Sequence, residues 1–300
     1  MIPRGLLYAL VALVAFELPA GAGRAAEVTI FASNYPIAYF AERISGQPDA
    51  VLLPVFAGDP ADWRPSVDDI LAIQQADVIL LNGASYEAWV ETATLPLWRV
   101  VVTSRAFRDR YLTAKNGVTH KHGPEGLHSH TATAFTTWLD FSLAVEQAGA
   151  VRDALAALGR FDEAALTRNY EALRDELLQL DRGFQSVGAA AAHAPLVASH
   201  PVYDYLAARY GLNIESVHWE PDEPPGVEMW AGLESLLARH RATFMIWEGA
   251  PLAETKARLK QMGLESVVFD PGGKRPTSGD LISAMTSNLA RLQAILGGGT

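Results

Sequence analysis

Half of the chain's eight histidines fall within eleven residues, as two His-x-His pairs: His120 with His122, and His128 with His130. Neutral imidazole is the commonest metal ligand, and alternate residues of an extended segment can converge on one ion when the loop folds over. The stretch from Lys115 to His130 also holds three Gly and one Pro and lacks apolar periodicity, so residues 115–135 read as a His-rich surface loop. Such a loop can capture a metal transiently without forming the main site; a merely solvated polar loop is the alternative.

A second set of donors sits at the ends of apolar runs. His200 follows Val197-Ala198-Ser199, Glu248 follows Met245-Ile246-Trp247, and Asp270 follows Val268-Phe269. If those runs are parallel strands, all three residues lie at carboxyl ends, where open α/β sheets bind ligands. An imidazole beside carboxylates suits a hard or borderline divalent cation. His218, in the acidic, proline-stiffened stretch 217–225, reads as part of a rigid connector, and His193 and His240 as surface residues. The chain has no Cys, which excludes thiolate zinc sites, iron–sulfur clusters and cysteine nucleophiles. It also lacks a Gly-x-Ser-x-Gly elbow, a phosphate loop and a His-Glu-x-x-His motif.

The elements that must position these donors alternate between strand and helix patterns. In the first half, strands are expected at 28–32, 51–56, 78–81 and 99–102, with helices near 36–45, 66–76 and 85–92. In the second half, strands are expected at 196–198, 214–217, 243–247 and 267–269, with helices at 201–209, 227–239, 251–262 and 279–296. This rhythm implies parallel sheets covered on both faces. Between the halves, Leu166, Tyr170, Leu173, Leu177, Leu180, Phe184 and Val187 recur in steps of four and three, one apolar stripe on a single long helix. The fold class expected is α/β: two parallel-sheet βα lobes joined by one long rigid helix, with a ligand cleft between them.

Length and composition agree with an ordinary globular protein. The 300 residues are 49% hydrophobic and 19% charged, and 24 Lys+Arg against 34 Asp+Glu give a net charge of −10. An acidic chain without a basic stripe argues against nucleic acid as a partner. Arg4, the uncharged run Gly5 to Phe16 and the small residues around Ala22 and Ala25 read as a signal peptide, too short to span a bilayer. The expected division is a signal peptide at 1–25, an N-terminal α/β lobe at 26–140, a helical linker at 141–188 and a C-terminal α/β lobe at 189–300.

Five segments, in order, resemble one known family. They are Asp59-Pro60-Ala61-Asp62-Trp63-Arg64-Pro65; Ala76-Asp77-Val78-Ile79 with Asn82-Gly83 and Glu87-x-Trp89; Thr137-Trp138-Leu139-Asp140; the helix stripe through Tyr170; and Ser199-His200-Pro201 with Tyr205-Leu206 and Arg209-Tyr210-Gly211-Leu212. Together they resemble the metal-binding receptors of zinc/manganese ABC importers. The resemblance implies a monomeric, non-enzymatic periplasmic binding protein that captures a divalent metal, zinc before manganese, for an ABC transporter permease. It places His200 and Asp270 on family ligand positions. It also exposes a departure: the family's first two histidines fall at Ala61 and Thr136, neither of which replaces an imidazole. His128 and His130 are the expected substitutes, with Asp59 and Asp62 as further donors. Two other readings remain open here, a metal chaperone or accessory receptor with a degenerate site, and a metal-dependent hydrolase using Glu248 or Glu220 as base.

Overall fold

The computed structural model describes residues 28–56, 58–114, 133–191 and 193–297. The first sheet is made of β1 (Ile30–Ala32), β2 (Val51–Leu52), β3 (Val78–Leu81) and β4 (Val100–Val102), in the order β2-β1-β3-β4. The second is made of β5 (Pro195–Ala198), β6 (Asn213–Ser216), β7 (Phe244–Trp247) and β8 (Glu265–Val268), in the order β6-β5-β7-β8. Every pairing is parallel, with Ile30 opposite Val78 in one sheet and Leu196 opposite Phe244 in the other. The two lobes therefore share one topology, as the alternating pattern implies.

The strands alternate between two cores. Ile30 and Ala32 of β1, Val78 and Leu80 of β3, Leu196 and Ala198 of β5 and Ile246 of β7 enter one continuous core that runs through both lobes. Phe31, Ile79 and Leu81 face a separate outer cluster under the first sheet. Val197, Met245 and Trp247 face another under the second, with Trp219 and Trp230. Runs apolar at every residue are what a sheet buried on both faces requires.

Eight α-helices are described: α1 (Tyr35–Ser45), α2 (Val67–Gln75), α3 (Phe141–Ala157), α4 (Glu163–Ala190), α5 (Asp204–Tyr210), α6 (Val227–His240), α7 (Ala253–Gln261) and α8 (Leu281–Leu296). The stripe on α4 is buried as expected at Leu166, Leu173, Leu177, Leu180, Phe184 and Val187. Tyr170 is only half-buried, its ring covered by the Arg152 guanidinium at 4.9 Å. At 28 residues, α4 is about 42 Å long. It holds both lobes. Glu176 accepts a bidentate pair of hydrogen bonds from Arg43 of α1, at 2.8 and 2.9 Å. One turn further on, buried Asp181 accepts from Arg209 Nε and Nη2 at 3.0 and 2.8 Å and from Tyr210 Oη at 3.0 Å, all of α5. At Gly188 a Cβ would lie 1.8 Å from the Tyr210 carbonyl oxygen, so only glycine lets α4 pass this close to α5.

Several expectations are corrected. Strand β2 stops at Leu52 rather than Phe56, since Pro54 cannot donate to a ladder. The helix expected at 85–92 is a short 3-10 turn, Ala88–Glu91, because Gly83, Ala84 and Ser85 all take positive φ. Helix α5 begins at Asp204, not Pro201, leaving residues 199–203 as an irregular turn. Helix α3, capped by Asp140 on the Ser142 and Leu143 amides, precedes α4.

The Asp181 cluster generates a stability prediction. Asp181→Ala removes the buried carboxylate of this cluster, leaving Arg209 only its 3.5 Å contact with Asp140, and should cost about 3 kcal/mol in urea unfolding. Asp175→Ala, which removes an exposed pair with Arg174, should change stability by less than about 0.5 kcal/mol.

Candidate metal centre

The carboxyl ends of both sheets border a cavity of about 420 Å³. Its lining includes five carboxylates (Asp59, Glu220, Asp222, Glu248 and Asp270), one lysine (Lys274) and His200. That excess of negative charge suits a cation.

The second sheet positions most of these groups by extending its ladder past the strands. Ser199 N–H donates to Ile246 O at 2.9 Å, Trp219 N–H to Ser199 O at 2.8 Å and Phe269 N–H to Trp247 O at 2.7 Å. His200, Glu248 and Asp270 are each held within one residue of these bonds. His200 Nδ1 lies 3.5 Å from Glu248 Oε1 and 3.8 Å from Glu220 Oε1. It is sealed from solvent without a hydrogen-bond partner. The Nδ1 edge of this imidazole thus faces two carboxylates that line the same cavity, a grouping of donors that suits a divalent cation. His218 is exposed, with its ring centroid 5.5 Å from that of His200.

Asp270 takes the Gly272 N–H on Oδ1 at 2.8 Å, and its backbone carbonyl takes Asn288 Nδ2 at 2.7 Å. Burial raises its pKa, and the Gly272 N–H, Arg291 and Lys274 oppose the rise. Glu248 is pushed up to about 8, first by burial and then by Asp59, Glu220 and Asp270, with Lys274 opposing. Its neighbours make a negative charge there unfavourable, and a cation among them would reverse that.

The first lobe supplies the opposite wall. Asp59 caps a short 3-10 turn, Pro60–Asp62, accepting the Ala61 N–H at 2.9 Å. Thr136, buried, donates its hydroxyl to Val202 O at 2.6 Å and so stitches one lobe to the other. Trp138 Nε1 donates to Pro271 O at 2.7 Å, and Tyr35 N–H to Gly273 O at 3.3 Å. Ala61 lines a neighbouring groove with Trp63 and Val67 instead of the cavity.

Of the four predicted ligands, the structure brings His200 and Asp270 to one cavity. His128 and His130, like His120 and His122, lie outside the described residues. Among the described residues, no three His, Asp or Glu side chains are arranged as a ready metal-ligand cluster. His193 is exposed, whereas His240 is no simple surface residue: its Nε2 bonds Leu196 O at 2.8 Å. Glu220 also comes beside His200, a place that depends on how the Pro-rich loop after β6 folds back and that no local sequence pattern announces. No helix among the described residues is long and apolar enough to cross a membrane.

Comparison with known proteins agrees with this architecture. The chain is 26% identical over 252 residues to the zinc-binding lipoprotein AdcA of Streptococcus pneumoniae, covering 82% of this chain and 50% of that protein. It thus spans about half the length of the AdcA relatives it matches. It is 24% identical over 251 residues to the high-affinity zinc uptake system protein ZnuA of Bacillus subtilis, covering 79% and 76%. The crystal structure of the zinc-bound ZnuA-like domain of S. pneumoniae AdcA superposes with a TM-score of 0.73 at 20% identity, over 90% of this chain and 99% of that one. Residues 30–295 match the family described as zinc-uptake complex component A, periplasmic. The chain belongs to the zinc-uptake complex component A family.

Proposed function

We propose that this chain is the exported receptor of an ABC importer, which captures a zinc ion in the cleft between its lobes and presents it to the membrane permease. The observation that carries the reading is His200: a sealed, unpartnered Nδ1 facing two glutamates, in a cavity with five carboxylates. The named zinc functions of AdcA and ZnuA relatives support zinc as the cargo, with manganese as second candidate. The mechanism is binding, not catalysis. His200 and Asp270 supply the C-terminal half of the site, and His128 and His130 are the imidazoles nearest in sequence to Thr136. Ordering a loop around the ion has an entropic cost that a preformed site lacks. The protein works as a monomer in the periplasm, after removal of a signal peptide ending near Ala22 or Ala25. A degenerate accessory receptor is the second reading, favoured by the commitment of Thr136 to Val202 O.

Calorimetry with zinc on the purified mature chain tests this reading. His200→Ala should weaken binding about tenfold or more, about 1.4 kcal/mol. His240→Ala should leave the affinity unchanged while lowering stability by about 1 kcal/mol, through its lost bond to Leu196 O. Equal zinc affinity in both variants and the parent would place the metal elsewhere. Replacing His128 and His130 together by Ala should weaken equilibrium binding. The same change at His120 and His122 should mainly slow association, as read by stopped-flow. Intact mass of the exported protein should show a start at Gly23 or Ala26; a retained Met1 would end the receptor reading.

A further inference from the structure

A cleft that closes on an ion needs a donor from each wall, and the N-terminal wall has lost its expected imidazoles. The side chains lining that wall are Asp59, Pro60, Tyr86, Phe135, Thr136 and Trp138. Proline and phenylalanine carry no donor atom. The Trp138 indole nitrogen is a hydrogen-bond donor already spent on Pro271 O, and the Thr136 hydroxyl is spent on Val202 O. Among the described residues of that wall, Asp59 is the one carboxylate. We propose that Asp59 is a metal ligand contributed by the N-terminal lobe, so that a carboxylate takes the place of the imidazole missing at Ala61, with the Tyr86 hydroxyl as the donor that steadies it. This rests on the reading of the cleft as a divalent-metal site.

Three features support the assignment. The first is presentation. Asp59 caps the Pro60–Asp62 turn through the Ala61 N–H, which restricts its side chain. The second is its surroundings. Burial first, and then Asp59 and Glu87, raise the Tyr86 pKa, while Asp59 also disfavours the charge on Glu248. Asp59 is therefore within electrostatic reach of both walls.

The third is independent of the carboxylates. Tyr86 is 4% exposed, and its hydroxyl is buried without a hydrogen-bond partner on the cavity lining. Its ring is held edge-on by Phe135 and Trp138, with centroids 5.4 and 5.9 Å away. Buried hydroxyls are normally satisfied, and a donor left open at a ligand cavity marks where a ligated group or its water belongs. Substituting oxygen for nitrogen also hardens the N-terminal half of the site.

The test titrates the full mature chain with zinc chloride and, separately, manganese chloride. Asp59→Asn keeps the acceptor for the Ala61 N–H but removes the charge, so its melting temperature should match the parent. Its zinc affinity should fall about tenfold or more, and its manganese affinity at least as far. Tyr86→Phe should weaken zinc binding by about tenfold with the fold intact. Asp62→Asn, at a residue exposed as Asp59 is but lining the adjacent groove instead of the cavity, should bind as the parent does. If Asp59→Asn binds both metals like the parent while His200→Ala is weakened, the Asp59 assignment fails and the metal reading of the cleft stands. If the parent itself binds neither metal, the reading of the cleft fails with it.

Discussion

A single buried carboxylate, Asp181, anchors the long helix α4 to the first helix of the C-terminal lobe. It sits in the apolar stripe of α4, where an ionised group is tolerated only with its oxygens satisfied, and the guanidinium of Arg209 and the hydroxyl of Tyr210 satisfy them. Both partners belong to α5, the helix that follows the His200 turn. Glu176, five residues earlier on α4, binds Arg43 of α1 in the other lobe. One rigid rod is thus bolted to the first helix of each lobe. The stack of Phe184 against Phe141 and Tyr210 fills the space between, and losing a ring like this from a core costs about 3–5 kcal/mol. The cavity walls inherit their separation from this frame.

With the walls set, precision at the C-terminal half of the site comes from backbone bonds. Each donor there follows a strand whose hydrogen-bond ladder continues one residue beyond its regular pairing, so the Cα positions of His200, Glu248 and Asp270 are constrained by the sheet itself. The side chains then meet a strongly acidic cavity, where Lys274 is the one basic residue of the described lining. Such a site gathers carboxylates whose mutual repulsion a cation among them would relieve.

Much of this was legible in the sequence, and for physical reasons. Buried parallel strands are apolar at every position, so Val78-Ile79-Leu80-Leu81 and Phe244-Met245-Ile246-Trp247 stand out from their flanks. The stripe of α4 is long enough to repeat its period several times. His200 and Asp270 could be placed because each directly follows such a run. What could not be read were features that depend on irregular backbone. Three consecutive positive φ values at 83–85 abolish an expected helix, and the bonds of Thr136 and Trp138 join segments far apart in sequence. The role of His240 was also hidden, since nothing local to it shows that Leu196 O lies within reach.

The hydroxyl of Thr136 has a consequence for how this cleft can change over generations. Histidine at that position would remove the bond to Val202 O and would have to fit a bulkier ring into a site that is 3% exposed. An imidazole at that position would therefore call for accommodation in the turn after β5, where Val202 lies. A single substitution to histidine there would exchange a bond between the lobes for a ligand atom, so fold and site make opposing demands on this one position.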